Sequence, residues 1–210
     1  YLVGSLEFSP DGRRLAYLAS ADGRQVVVVD GEMQELEEVD GVIGSLTFSP
    51  DGRCLAYLAA ASGQQVAVVD GTMEERYDDI QEGSLVFSPD SRRLAYVARV
   101  DNRQVVVVDG GVKELGEGDD VIGSLKFSPD GRRLAYLAAS DGRHVVVVDG
   151  KMQKQHDEIQ DRSLVFSADG QRLAYIAHET HSWGGEIDYV VVDGRKMKQG
   201  SHGYIKSLKF

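Results

Sequence analysis

A short turn motif recurs at nearly constant spacing along the chain, and it constrains the fold more than any other feature. Ser-Pro-Asp-Gly occupies residues 9–12, 49–52 and 128–131, and the variants Ser-Pro-Asp-Ser and Ser-Ala-Asp-Gly occupy 88–91 and 167–170. A phenylalanine precedes each copy, and successive phenylalanines are 40, 39, 40 and 39 residues apart. Self-similarity at such a period is the signature of a repeat architecture.

Each repeat is predicted to form four short strands separated by tight turns. In the first repeat, residues 5–8 and 15–19 have strand character, and Asp22-Gly23 between the second and third strands is typical of a hairpin turn. Residues 26–29 are four valines, which predicts a third strand buried on both faces. Asp30-Gly31 forms the next turn, and the polar stretch 32–39 supplies a fourth strand at the outer rim.

Four antiparallel strands in about 40 residues is the size of one β-propeller blade. A plain β-sandwich is the competing all-β fold, but it gives no reason for five near-copies with the same internal spacing. We therefore predict an all-β chain that forms one β-propeller domain over residues 1–210. The predicted repeat units are 5–44, 45–83, 84–123, 124–162 and 163–206, with a partial unit at 207–210.

The partial unit, Ser-Leu-Lys-Phe, is a surplus copy of the first strand, so the number of blades stays open. The ring closes with five blades and leaves one terminal strand over, or the last strand pairs with another copy of the chain, or the chain is a piece of a larger propeller. We favour five blades, because that ring needs no additional sequence.

Three phrases of the repeat resemble a known family. Phe-Ser-Pro-Asp-Gly, Leu-Ala-Tyr and Val-Val-Asp-Gly are similar to WD40-like repeats of the TolB type, and the similarity spans essentially the whole chain. Usual WD40 blades carry Trp-Asp at the end of the third strand, where this chain has Val29-Asp30. The resemblance therefore implies a bacterial, TolB-like propeller whose motifs are specific for the fold and unspecific for function.

Charge and hydropathy limit the classes of partner. The formal net charge is −11, which disfavours nucleic acid as a general partner because the chain would repel phosphates. No apolar run reaches the length of a membrane helix, so membrane insertion is not expected. The single cysteine, Cys54, excludes an internal disulfide, and the sequence leaves the compartment open between cytoplasm and periplasm.

The charge is unevenly distributed between the ends of the chain. The outer segment of the first repeat is acidic and that of the fifth repeat is basic; their charged residues are Glu32, Glu35, Glu37, Glu38 and Asp40, and Arg195, Lys196, Lys198 and Lys206. Opposite signs favour closure of the ring or end-to-end self-association. Two solvated rims of drifting charge are the alternative interpretation.

Residues that recur in every repeat are expected to build the blade, because aspartates in tight turns accept hydrogen bonds from backbone N–H groups. Function is more readily expected where one repeat differs. The fifth repeat contains a five-residue insertion between its second and third strands, within residues 178–186. We predict binding residues here and on the loops expected to share its face: His178, His181, Trp183, Glu186, Tyr77 and Tyr204.

Catalysis and cofactor binding have little support. The two histidines of the insertion, with a glutamate, are compatible with a metal, but their spacing in a loop is not diagnostic, so no metal, cofactor or catalytic residue is predicted. We therefore expect a non-catalytic scaffold that binds a protein or peptide. The alternative is a small-ligand or carbohydrate-binding propeller whose pockets recur between blades.

Overall fold

The computed structural model describes residues 2–21, 23–34, 38–116, 119–160, 162–180 and 186–197. The chain divides into two compact units, Tyr1–Glu114 and Leu115–Phe210. Within the described residues, the first unit holds three antiparallel sheets and the second holds two. The second to fifth sheets along the chain begin at Gly41, Asp79, Asp120 and Glu158, four or five residues before the predicted repeat units. No helix long and apolar enough to cross a membrane occurs in the described part of the chain.

The first unit contains blades 1 to 3. Blade 1 comprises β1 (Leu2–Phe8), β2 (Leu15–Ala21), β3 (Arg24–Val29) and β4 (Glu32–Gln34). Blade 2 comprises β5 (Gly41–Phe48), β6 (Leu55–Ala61), β7 (Gln64–Val69) and β8 (Thr72–Tyr77). Blade 3 comprises β9 (Asp79–Ile80), β10 (Val86–Phe87), β11 (Leu94–Val100), β12 (Arg103–Val108) and β13 (Gly111–Glu114).

The second unit contains blades 4 and 5. Blade 4 comprises β14 (Asp120–Val121), β15 (Lys126–Phe127), β16 (Leu134–Ser140), β17 (Arg143–Val148) and β18 (Lys151–His156). Blade 5 comprises β19 (Glu158–Ile159), β20 (Val165–Phe166), β21 (Leu173–Thr180), β22 (Glu186–Val192) and β23 (Arg195–Lys196).

The first strand is interrupted in blades 3 to 5, where two short pieces pair with the same second strand. In blade 3 the backbone turns away at Gly83, whose φ is +75°, and the Ser84 hydroxyl accepts the hydrogen bond of Val97 N–H. Ser163 does the same for Ile176 in blade 5. A serine side chain thus replaces a backbone carbonyl where the ladder is broken.

Asp-Gly pairs close the outer hairpin of every blade. Asp30 and Gly31 both have positive φ, +55° and +90°, which is the geometry of a type I′ turn. Asp30 Oδ1 also accepts a hydrogen bond from Leu15 N–H at 2.9 Å, and Asp70, Asp109, Asp149 and Asp193 make the equivalent contact in their blades. The predicted capping role of the repeated aspartates is confirmed.

The Ser-Pro-Asp-Gly motif folds into a compact turn held by its own side chains. Ser9 Oγ donates to Asp11 Oδ1 at 2.6 Å and accepts from Arg14 N–H at 2.9 Å. Gly12 N–H donates to the Ser9 carbonyl, and its φ of +69° suits glycine. All five blades repeat the Ser–Asp bond. The hydrogen bond donated by the serine lowers the pKa of each aspartate below the ordinary value.

The core lies between blades and is made largely of the second and third strands. Val27, Val28 and Val29 of blade 1 are all buried, as are the corresponding residues of β17, so the predicted two-sided burial is confirmed. β13 is exposed along its whole length, as predicted for an outer strand. The four-stranded antiparallel blade is thus confirmed.

In each unit, one interface between neighbouring blades is held together by an arginine. Arg14 Nε donates to Asp30 Oδ2 at 3.0 Å, its Nη1 donates to the Gly52 and Arg53 carbonyls, and its guanidinium carbon lies 5.5 Å from the centre of the Phe48 ring. In the second unit, Arg133 makes the same contacts with Asp149, Gly170, Gln171 and Phe166. We call this set of contacts the arginine clamp.

A second contact accompanies the clamp near the start of each third strand. Gln25 Oε1 accepts a hydrogen bond from Val42 N–H at 3.1 Å, and Gln65 Oε1 accepts one from Ile80 N–H at 2.8 Å. In the second unit, His144 Nδ1 accepts from Ile159 N–H at 3.0 Å. Each of these blades therefore satisfies a backbone group at the start of the following blade.

Closure with five blades and a single domain over residues 1–210 stay predictions, and residues 207–210 lie outside the described residues.

Candidate functional site

The hairpin β21–β22 of blade 5 departs from the repeat beyond its insertion. The strand registers align Glu179, Tyr189 and Lys196 with Ser140, Val145 and Met152 of blade 4. His178 likewise stands at the position of Ala139. Three charged or titratable side chains and one tyrosine therefore replace small or apolar ones on one hairpin. We call His178, Glu179, Asp188, Tyr189 and Lys196 the blade 5 cluster.

His178 and Asp188 lie directly opposite each other on β21 and β22. His178 Nδ1 is 2.5 Å from Asp188 Oδ1, which orients the imidazole. The Asp188 side chain is nearly buried, whereas 31% of the His178 side chain is exposed. This pairing leaves an oriented, accessible histidine at the surface.

Glu179 connects the cluster to a buried histidine of blade 4. His156 Nδ1 lies 3.2 Å from Glu179 Oε1, and His156 Nε2 lies 3.3 Å from the Tyr175 hydroxyl. The Tyr175 ring packs edge to face against the imidazole, with centroids 5.8 Å apart. Burial lowers the pKa of His156 below 6.5, although the Glu179 carboxylate acts in the opposite direction.

Lys196 lies at the other end of this network. Its Nζ forms an ion pair with Glu179 Oε2 and lies 4.1 Å from the centre of the Tyr189 ring, within cation–π range. Burial alone would raise the pKa of Glu179, but hydrogen bonds from Lys196 and His156 hold it below its usual value. Glu179 is thus a carboxylate shared by two basic groups, and it fixes the position of both.

The loop that follows the fourth strand of one blade lies beside the hairpin formed by the second and third strands of the next blade, as the sequence predicts. Asp157 Oδ2 accepts a hydrogen bond from Thr180 N–H at 2.8 Å, and Arg143 donates to Asp157 Oδ1 at 2.6 Å. Asp78 accepts from Asp101 N–H in the first unit in the same way, also at 2.8 Å. The Thr180 N–H lowers the pKa of Asp157 and ties the end of β21 to blade 4.

The structure places only part of the predicted site. His178 is half-buried and belongs to the blade 5 cluster. Glu186 is the first residue of β22. His181, Trp183 and Tyr204 lie outside the described residues. Tyr77 is buried in the first unit against Tyr96, with ring centroids 6.0 Å apart, so its ring faces the core rather than solvent.

Sequence reasoning leaves Asp188, Tyr189 and Lys196 out of the candidate site, and it notes Lys196 only as part of a basic outer segment. Their signal is the identity of the residue at each repeat position, but the five-residue insertion shifts blade 5 relative to the other blades. The alignment becomes clear only from the β21–β22 and β22–β23 registers. In the described part of the chain, no three His, Cys, Asp or Glu side chains are gathered closely enough to hold a metal ion.

Two open clefts lie between neighbouring blades, one in each unit. One, of about 320 Å³, lies between blades 2 and 3 and is lined by residues that include Ile80, Gln81, Glu82 and Arg99. The other, of about 300 Å³, lies between blades 4 and 5 and is lined by residues that include Leu125, Lys126, Ile159, Gln160 and Arg162. Ile80 and Gln81 correspond to Ile159 and Gln160, so the two clefts share this pair of repeat positions, while their other lining residues come from different positions of the repeat.

Comparison with known proteins supports the fold. No protein-family model matches the chain, and no curated protein matches it. The similar solved structures are TolB-type and other β-propellers, including TolB from Acinetobacter baumannii, at 19% identity and a TM-score of 0.42, with 91% of this chain and 52% of that chain covered. The chain thus spans about half of that TolB.

Higher TM-scores come from two further structures. The β-propeller domain of the trilobed protease from Pyrococcus furiosus is 14% identical, with a TM-score of 0.51, and the match covers 94% of this chain and 69% of that one. A eukaryotic initiation factor is 13% identical, with a TM-score of 0.55, and the match covers 93% of this chain and 56% of that one. At these identities the likeness shows the fold alone, and it confirms the predicted β-propeller fold.

Proposed function

We propose that the chain is a non-catalytic scaffold that binds a protein or peptide through the blade 5 cluster. The observation that carries this proposal is the exchange of repeat residues for His178, Glu179, Tyr189 and Lys196 on one hairpin. Turn aspartates elsewhere hold their own blades together. Blade 5 thus carries charged and aromatic side chains at positions that are small or apolar in blade 4.

Internal contacts prepare the cluster for binding. Asp188 orients His178, while Glu179 and the Tyr189 ring hold Lys196. Side chains already fixed in the free protein lose less conformational entropy when a partner binds. Tyrosine is a common anchor in protein interfaces. The half-buried Tyr189 ring beside the accessible His178 has this character.

Selection from a displayed random-peptide library tests the proposal, because it needs no identified partner. Peptides enriched on the unaltered protein would be titrated calorimetrically against Tyr189→Ala and His178→Ala. We expect each variant to weaken binding at least about tenfold, as for an interface anchor. Gln64→Ala is the matched control, because Gln64 is exposed on the corresponding hairpin of blade 2, and it should leave the affinity unchanged.

Two results would count against this function. Peptides that bind all variants equally would place the binding surface elsewhere. Turnover on a panel of ester, glycoside and peptide substrates that is lost in His178→Ala would make the accessible histidine a catalytic group and replace the scaffold with an enzyme.

A small-ligand function is the second candidate, and the two clefts that share the isoleucine–glutamine pair favour it. Each combines an isoleucine and a glutamine from the repeat with charged side chains, a mixture suited to small polar ligands such as sugars. Calorimetric titration with a panel of mono- and disaccharides should then give two sites per chain. Arg99→Ala, which alters only the cleft of the first unit, should remove one of them. A single site, or none, would contradict clefts that act by repetition.

A further inference from the structure

One backbone N–H group on the second strand of blade 4 has no acceptor among the described residues. Ile122 N–H donates to the Leu137 carbonyl at 3.0 Å. In a regular antiparallel ladder, the two residues of such a pair exchange both hydrogen bonds. The return bond from Leu137 N–H is missing here. Leu137 is only 8% exposed, so an unsatisfied N–H is costly at this position and favours an acceptor from outside the chain.

Blades 3 and 5 show how the corresponding donor is satisfied elsewhere in the repeat. A serine hydroxyl accepts it in both blades: Ser84 accepts from Val97 N–H and Ser163 from Ile176 N–H, each at 3.0 Å. Ser124 occupies the same position in blade 4, but it is exposed and makes no such bond. The missing acceptor is therefore a difference between blade 4 and the blades on either side of it in sequence.

The length of a turn accounts for this difference. Two residues lie between Gln81 and Ser84 in blade 3, but only one lies between Ile122 and Ser124 in blade 4. The blade 3 turn is closed by the serine N–H, which donates to the Gln81 carbonyl, and the shorter turn has no counterpart of this bond. Blade 2 has an equally short turn, but its ladder continues through Ile43, the counterpart of Ile122. Among blades 2 to 5, the open donor thus belongs to blade 4.

This donor lies at the cleft of about 300 Å³ between blades 4 and 5, which Leu137 lines together with Lys126 and Arg162. Lys126 Nζ donates to the Leu164 carbonyl at 2.8 Å, which holds the ammonium at the cleft, and the ammonium carries two further N–H donors. No acidic residue occurs among the described residues of the lining, and Leu125 and Leu164 supply apolar surface. The cleft therefore combines hydrogen-bond donors, positive charge and apolar walls.

Arg162 reaches the cleft from a backbone conformation that arginine rarely adopts. Its φ is +61°, at the position where blade 3 has Gly83 with a φ of +75°. Glycine takes this conformation without strain, whereas a residue with a Cβ does not. Strained residues are concentrated at functional sites. The strained position is the one that brings an arginine to this cleft.

We propose that the cleft between blades 4 and 5 binds a small carboxylate with an apolar body. One carboxylate oxygen would accept the hydrogen bond of Leu137 N–H and the other would accept from Lys126, while the apolar body lies against Leu125 and Leu164. The inference rests on the small-ligand candidate function and gives one of its two clefts a ligand class. It is independent of peptide binding by the blade 5 cluster.

The cleft between blades 2 and 3 offers a comparison within the same chain. Its lining includes Val97, whose N–H is already bonded to Ser84 Oγ. Asp79 and Glu82 line it together with Arg99, so a carboxylate would meet two like charges there. We therefore expect the carboxylate to bind between blades 4 and 5 and not between blades 2 and 3.

Calorimetric titration of the full chain with phenylacetate tests the inference, and the neutral phenylacetamide is the matched ligand. We expect one site per chain for phenylacetate and none for the amide. Lys126→Val, which copies Val86 of blade 3, should weaken binding at least about tenfold, because it removes a charge-assisted hydrogen bond. Lys151→Ala is the control, because Lys151 is an exposed lysine on the outer strand of the same blade, and it should leave the affinity unchanged.

Nuclear magnetic resonance reads the proposed hydrogen bond directly. The amide proton of Leu137 should shift downfield and exchange more slowly with solvent when phenylacetate binds, because it gains an acceptor. The amide proton of Val97, which already has one, should not change. Arg162→Gly should weaken binding while the free energy of unfolding stays the same or rises, because glycine removes the backbone strain. A merely structural arginine would not separate these two effects.

The contrary results are distinct. Absence of phenylacetate binding, or equal binding of phenylacetamide or inorganic phosphate, would overturn the inference. Binding that leaves the Leu137 amide unchanged would place the ligand elsewhere and overturn it as well. Sugar binding without phenylacetate binding would support the small-ligand function and reject this ligand class. Tyr189→Ala should leave the phenylacetate affinity intact, so failure at this cleft and failure of peptide binding are separate outcomes.

Discussion

Two neighbouring interfaces in the first unit show different ways of joining the same blade. Between blades 1 and 2, Arg14 clamps the Phe48 ring and the carbonyls of Gly52 and Arg53. A Cβ added at Gly52 would lie 3.0 Å from Asp11 Oδ1, so the two turns are in close contact. Glycine and arginine act together here.

Between blades 2 and 3, both of these residues are replaced. Cys54 occupies the Arg14 position, and Ser91 occupies the Gly52 position, with a φ of +61°. Ser91 Oγ accepts a hydrogen bond from Asp51 N–H at 2.9 Å. Phe87, which corresponds to Phe48, is only half-buried. A single direct hydrogen bond thus stands where the arginine clamp is missing.

The comparison shows that a contact between two blades depends on matching residues of both blades. Loss of the arginine and gain of the serine occur at the same interface, one on each blade. Cys54 alone looks like a drifted turn residue, and burial together with the Asp70 carboxylate raises the pKa of its thiol, which disfavours a reactive thiolate. The effect of Cys54 on the interface becomes clear only when Ser91 of the next blade is considered together with it.

Removing the arginine clamp should produce the largest effect. Arg14→Ala deletes an ion pair, the hydrogen bonds to the next blade and the contact over Phe48, and we expect a loss of about 2 kcal/mol in the free energy of unfolding. Cys54→Ala, at the same position one blade later, should cost less than about 1 kcal/mol. Urea denaturation followed by circular dichroism measures both. Equal losses would show that the clamp contributes nothing specific.

The close contact at Gly52 should give the next largest effect. Gly52→Ala places a Cβ against Asp11 and forces alanine into a left-handed conformation, at a cost of about 1–2 kcal/mol. Ser91→Ala at the equivalent position keeps the backbone and loses one exposed hydrogen bond, so it should cost about 0.5–1 kcal/mol. If Gly52→Ala were neutral, the two interfaces would be equally spacious.

Local features of this fold are predictable from sequence, and contacts between blades are not. Asp30-Gly31 predicts its turn because both residues act within two or three positions of the chain. Val27 to Val29 predict their burial by composition alone. The contact between Arg14 and Phe48 joins residues of different repeats, and a repeated pattern does not say which blade face the arginine covers. The same ambiguity applies to each of the five similar repeats.

The candidate site is partly predictable for a related reason. His178 stands out because an insertion follows it, whereas Tyr189 and Lys196 stand out only when the strand registers align them with valine and methionine. The loop position of Tyr77 predicts a binding residue, but Tyr77 is the last residue of β8 and its ring turns inward onto Tyr96. Whether a residue at the end of a strand points inward depends on strand register, which the sequence leaves open by one residue.

Restoring the arginine would sharpen the comparison of the two interfaces. Cys54→Arg gives Asp70 the guanidinium partner that Asp30 has, and it offers Phe87 a cover. We expect stabilisation of about 0.5–1 kcal/mol, since substitutions toward the repeat consensus commonly contribute this much. The midpoint of urea denaturation should rise without a change in slope. Destabilisation would mean that Ser91 has made the interface incompatible with the clamp.

The interface between blades 2 and 3 and the interface between blades 4 and 5 each contain a buried pair of rings, and the two pairs differ. Because one pair includes a histidine, the contribution of that interface to stability should depend on pH. Tyr77 packs against Tyr96 between blades 2 and 3, while His156 packs against Tyr175 between blades 4 and 5. His156 faces Glu179 and Tyr175 directly, and Lys196 and Lys154 lie near enough to oppose its protonation. Of these two interfaces, the second therefore contains a buried histidine whose pKa burial holds below its ordinary value.

The smallest expected effect is a pH dependence that His156→Tyr removes. The pKa of His156 in the folded chain lies below 6.5, its ordinary value, so the unfolded chain binds more protons between these two pKa values. The free energy of unfolding should therefore be fully present above pH 6.5 and fall as the pH is lowered through this window. His156→Tyr, which copies Tyr77, should flatten the profile between about pH 8 and 5.5. A profile unchanged by His156→Tyr would assign the dependence to other groups and leave the two pairs of rings electrostatically alike.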